Sequence, residues 1–404
     1  MPPSSQAYQI SIIGAGVAGL ASAIALKQQG VEVQVFERAK AQQHLGAGIV
    51  LWPNAIFVLD ALGLSPQVFK VSAPLERMQR FNAQNLPLDS LAINALNQAA
   101  GFTSRSILRA DLMALLLDHC EILQIPIHYQ HTLTDVSQNA SSVTLRFNRE
   151  NDYRTDALIG ADGRMQSIIR QFILGDNQPV YQKFINVIGL SQHSDYANQK
   201  DVLDYWGVGS RFGIVPVSHQ ANIDSKSANS YWAAGWYQKD PQPKDEANKD
   251  SFDSILEALL SRFKHWPTAV KHALINSEPN SIRKLSIYDH NPNNVWSKGK
   301  VLMIGDAAHA ALPTSGQGAC QALEDAWWLA KLIVKEGANA QSFEKFSQQR
   351  YAKTQAIIQS GRSMAQTIFN PDEQYCQARD LKLSQSKPSD ASAIANFWMQ
   401  GLEG

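Results

Sequence analysis

Apolar residues follow two different periods along this chain. At its start, Gln9 to Ile13 make a short apolar run, Gly14-Ala15-Gly16-Val17-Ala18-Gly19 a turn, and Leu20 to Gln28 a helix ending near Gly30, a natural C-cap. VEVQVFER then reads as a second strand. Two short strands flanking one helix predict a βαβ unit in a parallel sheet. Arg109 to Leu123 carries an amphipathic helical pattern, and IPIHYQ, SSVTLRF and DALIGADG read as strands. Val301 to Ala330 repeats the opening arrangement: a buried strand, Gly305-Asp306, a Pro/Gly loop, and a long helix opening at Gly316-Gln317-Gly318.

From about Gln182 to Trp236 the period shortens. INVIGLSQ, DVLDYWG, RFGIVPV and SYWAAGWY are β-branched and aromatic runs between turn residues, which predicts an antiparallel sheet. Residues 218 to 230 and 238 to 251 are polar and predict loops; Phe252 to Phe263 predicts a helix and IRKLSIYD a returning strand. Helical patterns dominate from Gln317 to about Met364, and the last forty residues are polar and helix-compatible. No internal repeat is visible. The layout is one α/β domain interrupted by another.

Composition narrows the class. A chain of 404 residues holds two domains with proper cores. Lys plus Arg number 36 and Asp plus Glu 36, so no basic footprint for nucleic acid or an anionic membrane exists. The apolar stretch Ile12 to Leu26 is broken by Gly16, Gly19 and Ser22, too short and too Gly-rich to span a bilayer. MPPSSQAYQ has no basic n-region or apolar h-region, so no secretory signal is expected. Cys120, Cys320 and Cys376 are scattered and suggest no disulfide framework. The expectation is a cytoplasmic α/β protein without a membrane span, a monomer or homodimer.

The chemistry concentrates at strand ends. Gly14 allows a tight turn, Gly16 lets backbone approach a pyrophosphate, and Gly19 lets helix and strand pack closely. The following helix N-terminus offers N–H groups to phosphates. Glu37, eighteen residues after Gly19, stands where a carboxylate would accept hydrogen bonds from ribose hydroxyls. These features predict a dinucleotide without choosing between NAD and FAD. Asp306 bears on that choice: a strand-end carboxylate beside a glycine can take the hydroxyls of a ribityl chain. The loop from Leu312 to Gly318 leads into a helix whose N-terminus would stabilise the negative charge of a reduced flavin by about 0.3–2 kcal/mol. The cofactor inferred is FAD. Competing structural readings are an N-cap role for Asp306 and an ordinary Asp-Gly turn at Asp162-Gly163.

GAGVAG with Glu37-Arg38, GAGIVLWPN at 46 to 54, Arg109 in LRADL, GADG at 160 to 163 and GDAAHAALPTSGQGACQALEDA at 305 to 326 occur in that order. In these motifs the chain resembles the single-component FAD-dependent aromatic hydroxylases, the group of para-hydroxybenzoate, salicylate and bacterial urate hydroxylases. The resemblance spans roughly residues 8 to 335. It implies an FAD-binding Rossmann-like domain interrupted by an antiparallel-sheet substrate domain, with a C-terminal helical segment. The implied boundaries are 1–74, 103–178 and 281–345 for the FAD domain, 75–102 and 179–280 for the substrate domain, and 346–404 for the C-terminal segment. It also implies site roles. Glu37 and Arg38 would hold the adenosine end, Arg109 the pyrophosphate region and Asp306 the ribityl chain. Pro313 and the backbone of Gly316, Gln317, Gly318 and Ala319 would hold the isoalloxazine. Gly48 counts with the cofactor-binding positions, and Asp162 would help order the pyrophosphate and assist the nicotinamide. The implied reaction is reduction of FAD by NADH or NADPH, oxygen capture as a C4a-hydroperoxide, and transfer of one oxygen to an electron-rich ring.

On the substrate side, Arg211 matches the place where urate hydroxylases carry a functional arginine, and Tyr231 joins it as a candidate. Tyr231, Trp232, Trp236, Tyr205 and Trp206 are candidates for a flat pocket, though aromatics on strands also serve as core or cross-strand pairs. Thr314 stands where urate enzymes have Asp, and Val50 where some pyridine hydroxylases have His; both departures argue against borrowing either substrate. His309 reads as structural packing beneath the loop. Alternatives on the same frame are an epoxidase or an isoprenoid reductase, and, further away, an NAD-only dehydrogenase. No metal site is expected.

Overall fold

The structure, a computed structural model, describes residues 9–40, 48–148, 152–175, 178–192, 199–217, 230–242 and 251–402. Residues 46–47 of the GAGIVLWPN stretch and most of the two expected polar loops (218–229 and 243–250) therefore lie outside the described residues. The chain divides into two compact units of three segments each: residues 1–43, 113–180 and 289–361, and residues 44–112, 181–288 and 362–404.

The first unit is built on a six-stranded sheet. Its strands lie in the order Ser297–Lys298, Val301–Met303, Ala157–Gly160, Ile10–Ile13, Val33–Phe36, Ile127–His128. All neighbours are parallel except the first pair. The strands are short, β-branched and completely buried at Ile10, Ile12, Val35, Leu158, Ile159 and Val301, as a sheet covered on both faces requires. Helices Val17–Gln28 and Gly318–Glu336 pack on one another. The first begins at Val17 rather than the expected Leu20, because Gly16 takes the extended N-cap conformation and the last glycine of the motif is already helical. The helical run expected from Gln317 to Met364 is two helices, Gly318–Glu336 and Ala340–Ile368. Gly337, with φ +79°, separates them.

The second unit holds a seven-stranded sheet. The order is Arg283–Asp289, Val180–Ser191, Ser230–Tyr237, Ser210–Pro216, Asp201–Gly207, Arg77–Asn82, Pro87–Leu91. It is antiparallel through its centre, as expected, but Asp201–Gly207 runs parallel to Arg77–Asn82. Those two strands come from distant parts of the chain, so no hairpin sets their direction. One face carries Val187, Tyr205, Phe212, Ile214, Trp232 and Ala234 against helices Phe252–Arg262 and Thr268–Ile275.

Residues 44–74 and 103–112 belong to this second unit. Strand Arg105–Leu108 lies between Gly48–Leu51 and Ser72–Pro74, antiparallel to both, in a separate sheet. The polar C-terminal residues form helices Glu373–Ser384 and Ala391–Met399, docked in part by Trp398 against Trp52 with ring centres 4.7 Å apart. Among the described residues no helix is long and apolar enough to cross a membrane.

Candidate cofactor and substrate sites

Because the central strands of the first unit are parallel neighbours, their carboxyl ends converge at one edge, where open α/β sheets bind ligands. That edge carries Glu37, Gly14, Ala161-Asp162 and Gly305-Asp306. The three glycines of the first motif differ in what surrounds them. Gly14 has φ +103° and its missing side chain makes room for the Ala161 carbonyl. At Gly19 a side chain would collide with the Gly14 carbonyl, so this glycine sets the close approach of helix and strand. At Gly16 nothing of the protein lies within 4 Å of a Cβ. The helix that follows has no side-chain cap, leaving its first N–H groups facing that open space. The Glu37 carboxylate accepts from the Ala15 N–H (2.8 Å) and the Ala39 N–H (2.9 Å), so it fixes the glycine turn. Arg38 is exposed.

Asp162 turns out to be an N-terminal anchor for helix Ile168–Leu174. It accepts from the Ser167 hydroxyl (2.6 Å) and the Ile169 N–H (3.3 Å). Burial pushes its carboxyl up to about 6 against the pull of these hydrogen bonds. Asp306 begins the short helix Asp306–His309 and is paired through Oδ2 with Arg164 (2.6 Å). Gly305, at φ +56°, brings this turn so close to the first helix that a Cβ there would lie 2.7 Å from that of Ala18. The first and last of the motifs therefore meet. Beyond them, Pro313–Ser315 forms a 3-10 turn closed by left-handed Gly316. The Thr314 hydroxyl donates to the Gly361 carbonyl (2.7 Å). Helix Gly318–Glu336 also starts without a side-chain cap, and a Cβ at Gly318 would meet no protein atom within 4 Å.

Under this loop lies a buried ionic network. Asp325 accepts from the Gly305 N–H (2.8 Å), His309 Nε2 (2.6 Å) and Arg350 Nε (2.8 Å). Arg350 also donates to Glu324 (2.6 Å) and Gln321 (2.7 Å), and Lys353 donates to Glu324 (2.9 Å). Burial raises the Asp325 carboxyl, but His309 and Arg350 together pull harder and leave it below the usual carboxylate range. His309 is thus a structural residue, packed against Trp296 (5.1 Å).

In the second unit, strand alternation puts Arg211, Gly213 and Val215 on the sheet face opposite the apolar core, beside Asp204, Trp206, Ala233 and Tyr231. Arg211 Nε donates to Asp204 Oδ1 (2.6 Å), and the Trp206 indole N–H donates to Asp204 Oδ2 (2.9 Å). Asp204 is 3% exposed and Arg211 24%. Burial pushes the Tyr231 phenol well above its ordinary range, with Arg211 opposing weakly, so it stays a neutral donor. Of the five candidate aromatics only Tyr231 and Trp206 share the Arg211 face; Tyr205, Trp232 and Trp236 pack with the core. Gly48 lies against Tyr231, whose ring fills the space a side chain would need. Arg109 is the first residue of helix Arg109–Ile122, in this same unit.

Sequence reasoning missed Arg164, Asp325, Arg350 and Asp204. For Asp204 a signal existed. A two-residue turn at Val208-Gly209 between DVLDYWG and SRFGIVP implies that Trp206 faces Arg211 and Asp204 faces Gly213, the register observed. Among the described residues no cluster of His, Cys, Asp or Glu is suited to a metal.

The family model described as "FAD binding domain" matches residues 7–360. The chain is 27% identical over 372 residues to the FAD-dependent urate hydroxylase of Klebsiella pneumoniae, covering 91% of this chain and 92% of that protein. It is 26% identical over 390 residues to the aurachin C monooxygenase/isomerase of Stigmatella aurantiaca, covering 96% and 97%. The fold matches Klebsiella pneumoniae HpxO complexed with FAD and uric acid at a TM-score of 0.85, with 24% identity and coverage of 98% of this chain and 97% of that one.

Proposed function

The chain belongs to the FAD-binding-domain family, and from that premise we propose that it is a flavin-dependent monooxygenase which uses NADH or NADPH and O2 to hydroxylate a small aromatic or heteroaromatic compound. The observation that carries the cofactor side is the pair of open, uncapped helix starts at Gly16 and Gly318, on helices that follow neighbouring motifs at one sheet edge. An extended anionic ligand needs such a cradle. Gly14, Gly16 and Gly19 shape the pyrophosphate turn. Glu37, whose carboxylate oxygens retain lone pairs beyond their backbone bonds, takes ribose hydroxyls, with Arg38 beside it. Asp306 uses its second oxygen, Oδ1, for the ribityl chain. Pro313 and Gly316, Gln317, Gly318 and Ala319 hold the isoalloxazine. Asp162 acts indirectly, by fixing the helix after the GADG turn, and Arg109 and Gly48 are counted with the cofactor-binding positions. Bound FAD supplies the redox chemistry, the activation of oxygen and its transfer to the ring.

This chain's own residues bind and orient. Arg211 and Tyr231 present N–H and O–H donors from one sheet face to a ring acceptor, while Gly213 and Ala233 between them leave a flat floor for a planar compound. The deciding experiment is an absorbance spectrum of the purified protein, then NADH and NADPH oxidation across phenols, anilines, pyridines, purines and quinolones, with oxygen uptake recorded. A flavin spectrum and one ring that accelerates both losses is expected. No flavin after adding FAD overturns the reading. Gly16→Ala checks the cradle: the apoprotein should keep its unfolding midpoint while FAD affinity falls by about tenfold or more, since only the ligand meets the added methyl.

A further inference from the structure

The charge balance around Arg211 speaks to the class of ring the site takes. An arginine that anchors a substrate carboxylate must bring a net positive charge, because a desolvated ion pair needs its opposite. Arg211 does not. Its Nε is held at 2.6 Å by Asp204, a carboxylate 3% exposed and fixed on its other oxygen by the Trp206 indole. Nor do the neighbouring cations supply a surplus. Arg80 and Arg379 both lie over Trp206, at 5.4 and 5.5 Å. Arg80 is paired with Asp89 at 2.7 Å, its Nε lying 3.7 Å from Asp204 as well, and Arg379 is paired with Asp380 at 2.7 Å. Every guanidinium in this group has its own carboxylate.

Hydrogen-bond donors remain nonetheless. The terminal nitrogens of Arg211 extend over Gly213, where Nη2 would lie 3.7 Å from a Cβ, and no described residue accepts from them. The Tyr231 hydroxyl stands on the same face, and among the described residues no acceptor holds it. The face is therefore rich in donors, apolar and small at its floor, and neutral in net charge.

Resting on the monooxygenase reading, we infer that Asp204 is a specificity-determining residue that sets the substrate class to neutral rings bearing a carbonyl or hydroxyl acceptor, such as lactams and quinolones, against rings bearing a carboxylate. A carboxylate approaching Arg211 also approaches Asp204, and like charges at such range in a partly buried site repel by an amount that outweighs one added hydrogen bond. A neutral carbonyl takes the same donors without that repulsion.

The test titrates the FAD-loaded protein calorimetrically with matched pairs: 2-pyridone against pyridine-2-carboxylate, and 4-quinolone against quinoline-4-carboxylate. The neutral member of at least one pair should bind roughly tenfold or more tighter than its carboxylate. In Asp204→Asn the carboxylates should gain roughly tenfold while the neutral rings change by less than about threefold. A wild-type protein that favours the carboxylate in every pair, or binds no neutral ring better, overturns the inference whether or not Asp204→Asn folds. So does an Asp204→Asn protein with unchanged carboxylate affinity. These outcomes are separable from failure of the monooxygenase reading: a flavoprotein whose NADH or NADPH oxidation is stimulated by a ring, but which favours the carboxylate in every pair, keeps that reading and loses this one.

Discussion

Asp325 in the first unit and Asp204 in the second are both buried carboxylates held by an arginine, yet they are finished differently. Asp325 is fully buried, and so is its partner Arg350 at 1% exposure. Asp325 Oδ1 takes Arg350 Nε and Oδ2 takes Gly305 and His309, while the terminal nitrogens of Arg350 meet Glu324 and Gln321. Asp204 is as deep, but its partner Arg211 reaches outward with terminal nitrogens that no described residue holds. A closed network has nothing left to offer a ligand, and its value lies in holding a loop. An open one holds an arginine in place and leaves its donors for something else. Burial of a charge by itself therefore does not mark function; the unfilled valence of its partner does.

The sharpest way to break this comparison is to open the closed network. Arg350→Ala leaves Glu324 and Asp325 buried without their main cation and should cost about 3–5 kcal/mol in urea unfolding of the apoprotein. A loss below about 1 kcal/mol would mean that the network adds little to the first unit. Next in size is Arg211→Ala. Asp204 keeps the Trp206 N–H and the nearby Arg80, so stability should fall by only about 1–3 kcal/mol. Flavin should be retained while stimulation of NADH or NADPH oxidation by any ring disappears; unchanged stimulation would make the Asp204–Arg211 pair as closed in function as Asp325–Arg350.

The smallest expected effect comes from a third carboxylate, Asp162, which has a hydroxyl and backbone N–H groups but, among the described residues, no cation. Its folded-state value, raised to about 6 from an ordinary 3.8, means the folded protein binds the proton more tightly than the unfolded chain. The stability this contributes is complete below the unfolded value and is lost as pH rises through about 6. Asp162→Asn should therefore flatten the decline of the urea midpoint between about pH 4 and 6. A variant with the wild-type slope in that window would assign the decline to other groups.

Much of the first unit is legible in the chain. Glycines at 14, 16 and 19, a strand before and a helix after them act through local conformation, and Gly305-Asp306 repeats the logic. The βαβ unit, the long helix at Gly318 and the antiparallel run from residue 182 follow from periodicity, which neighbours in sequence share. The parallel strand Arg77–Asn82 and the sheet around Gly48 were not legible, because their partners lie far along the chain and nothing local names them. The same holds for Gly48 beneath Tyr231: the residue type announces a close approach, but not to what.

By itself the sequence determined the elements, the glycine turns and the residue types at the strand ends, since these depend on backbone sterics and on side chains a few positions apart. Only the tertiary structure decided which charges are closed and which are open. Asp325 finds Gly305 and Arg350, and Asp204 finds Arg211 on a shared face, through packing and strand register. A carboxylate's partners are chosen by distance in space, and that distance exists only once the chain has folded.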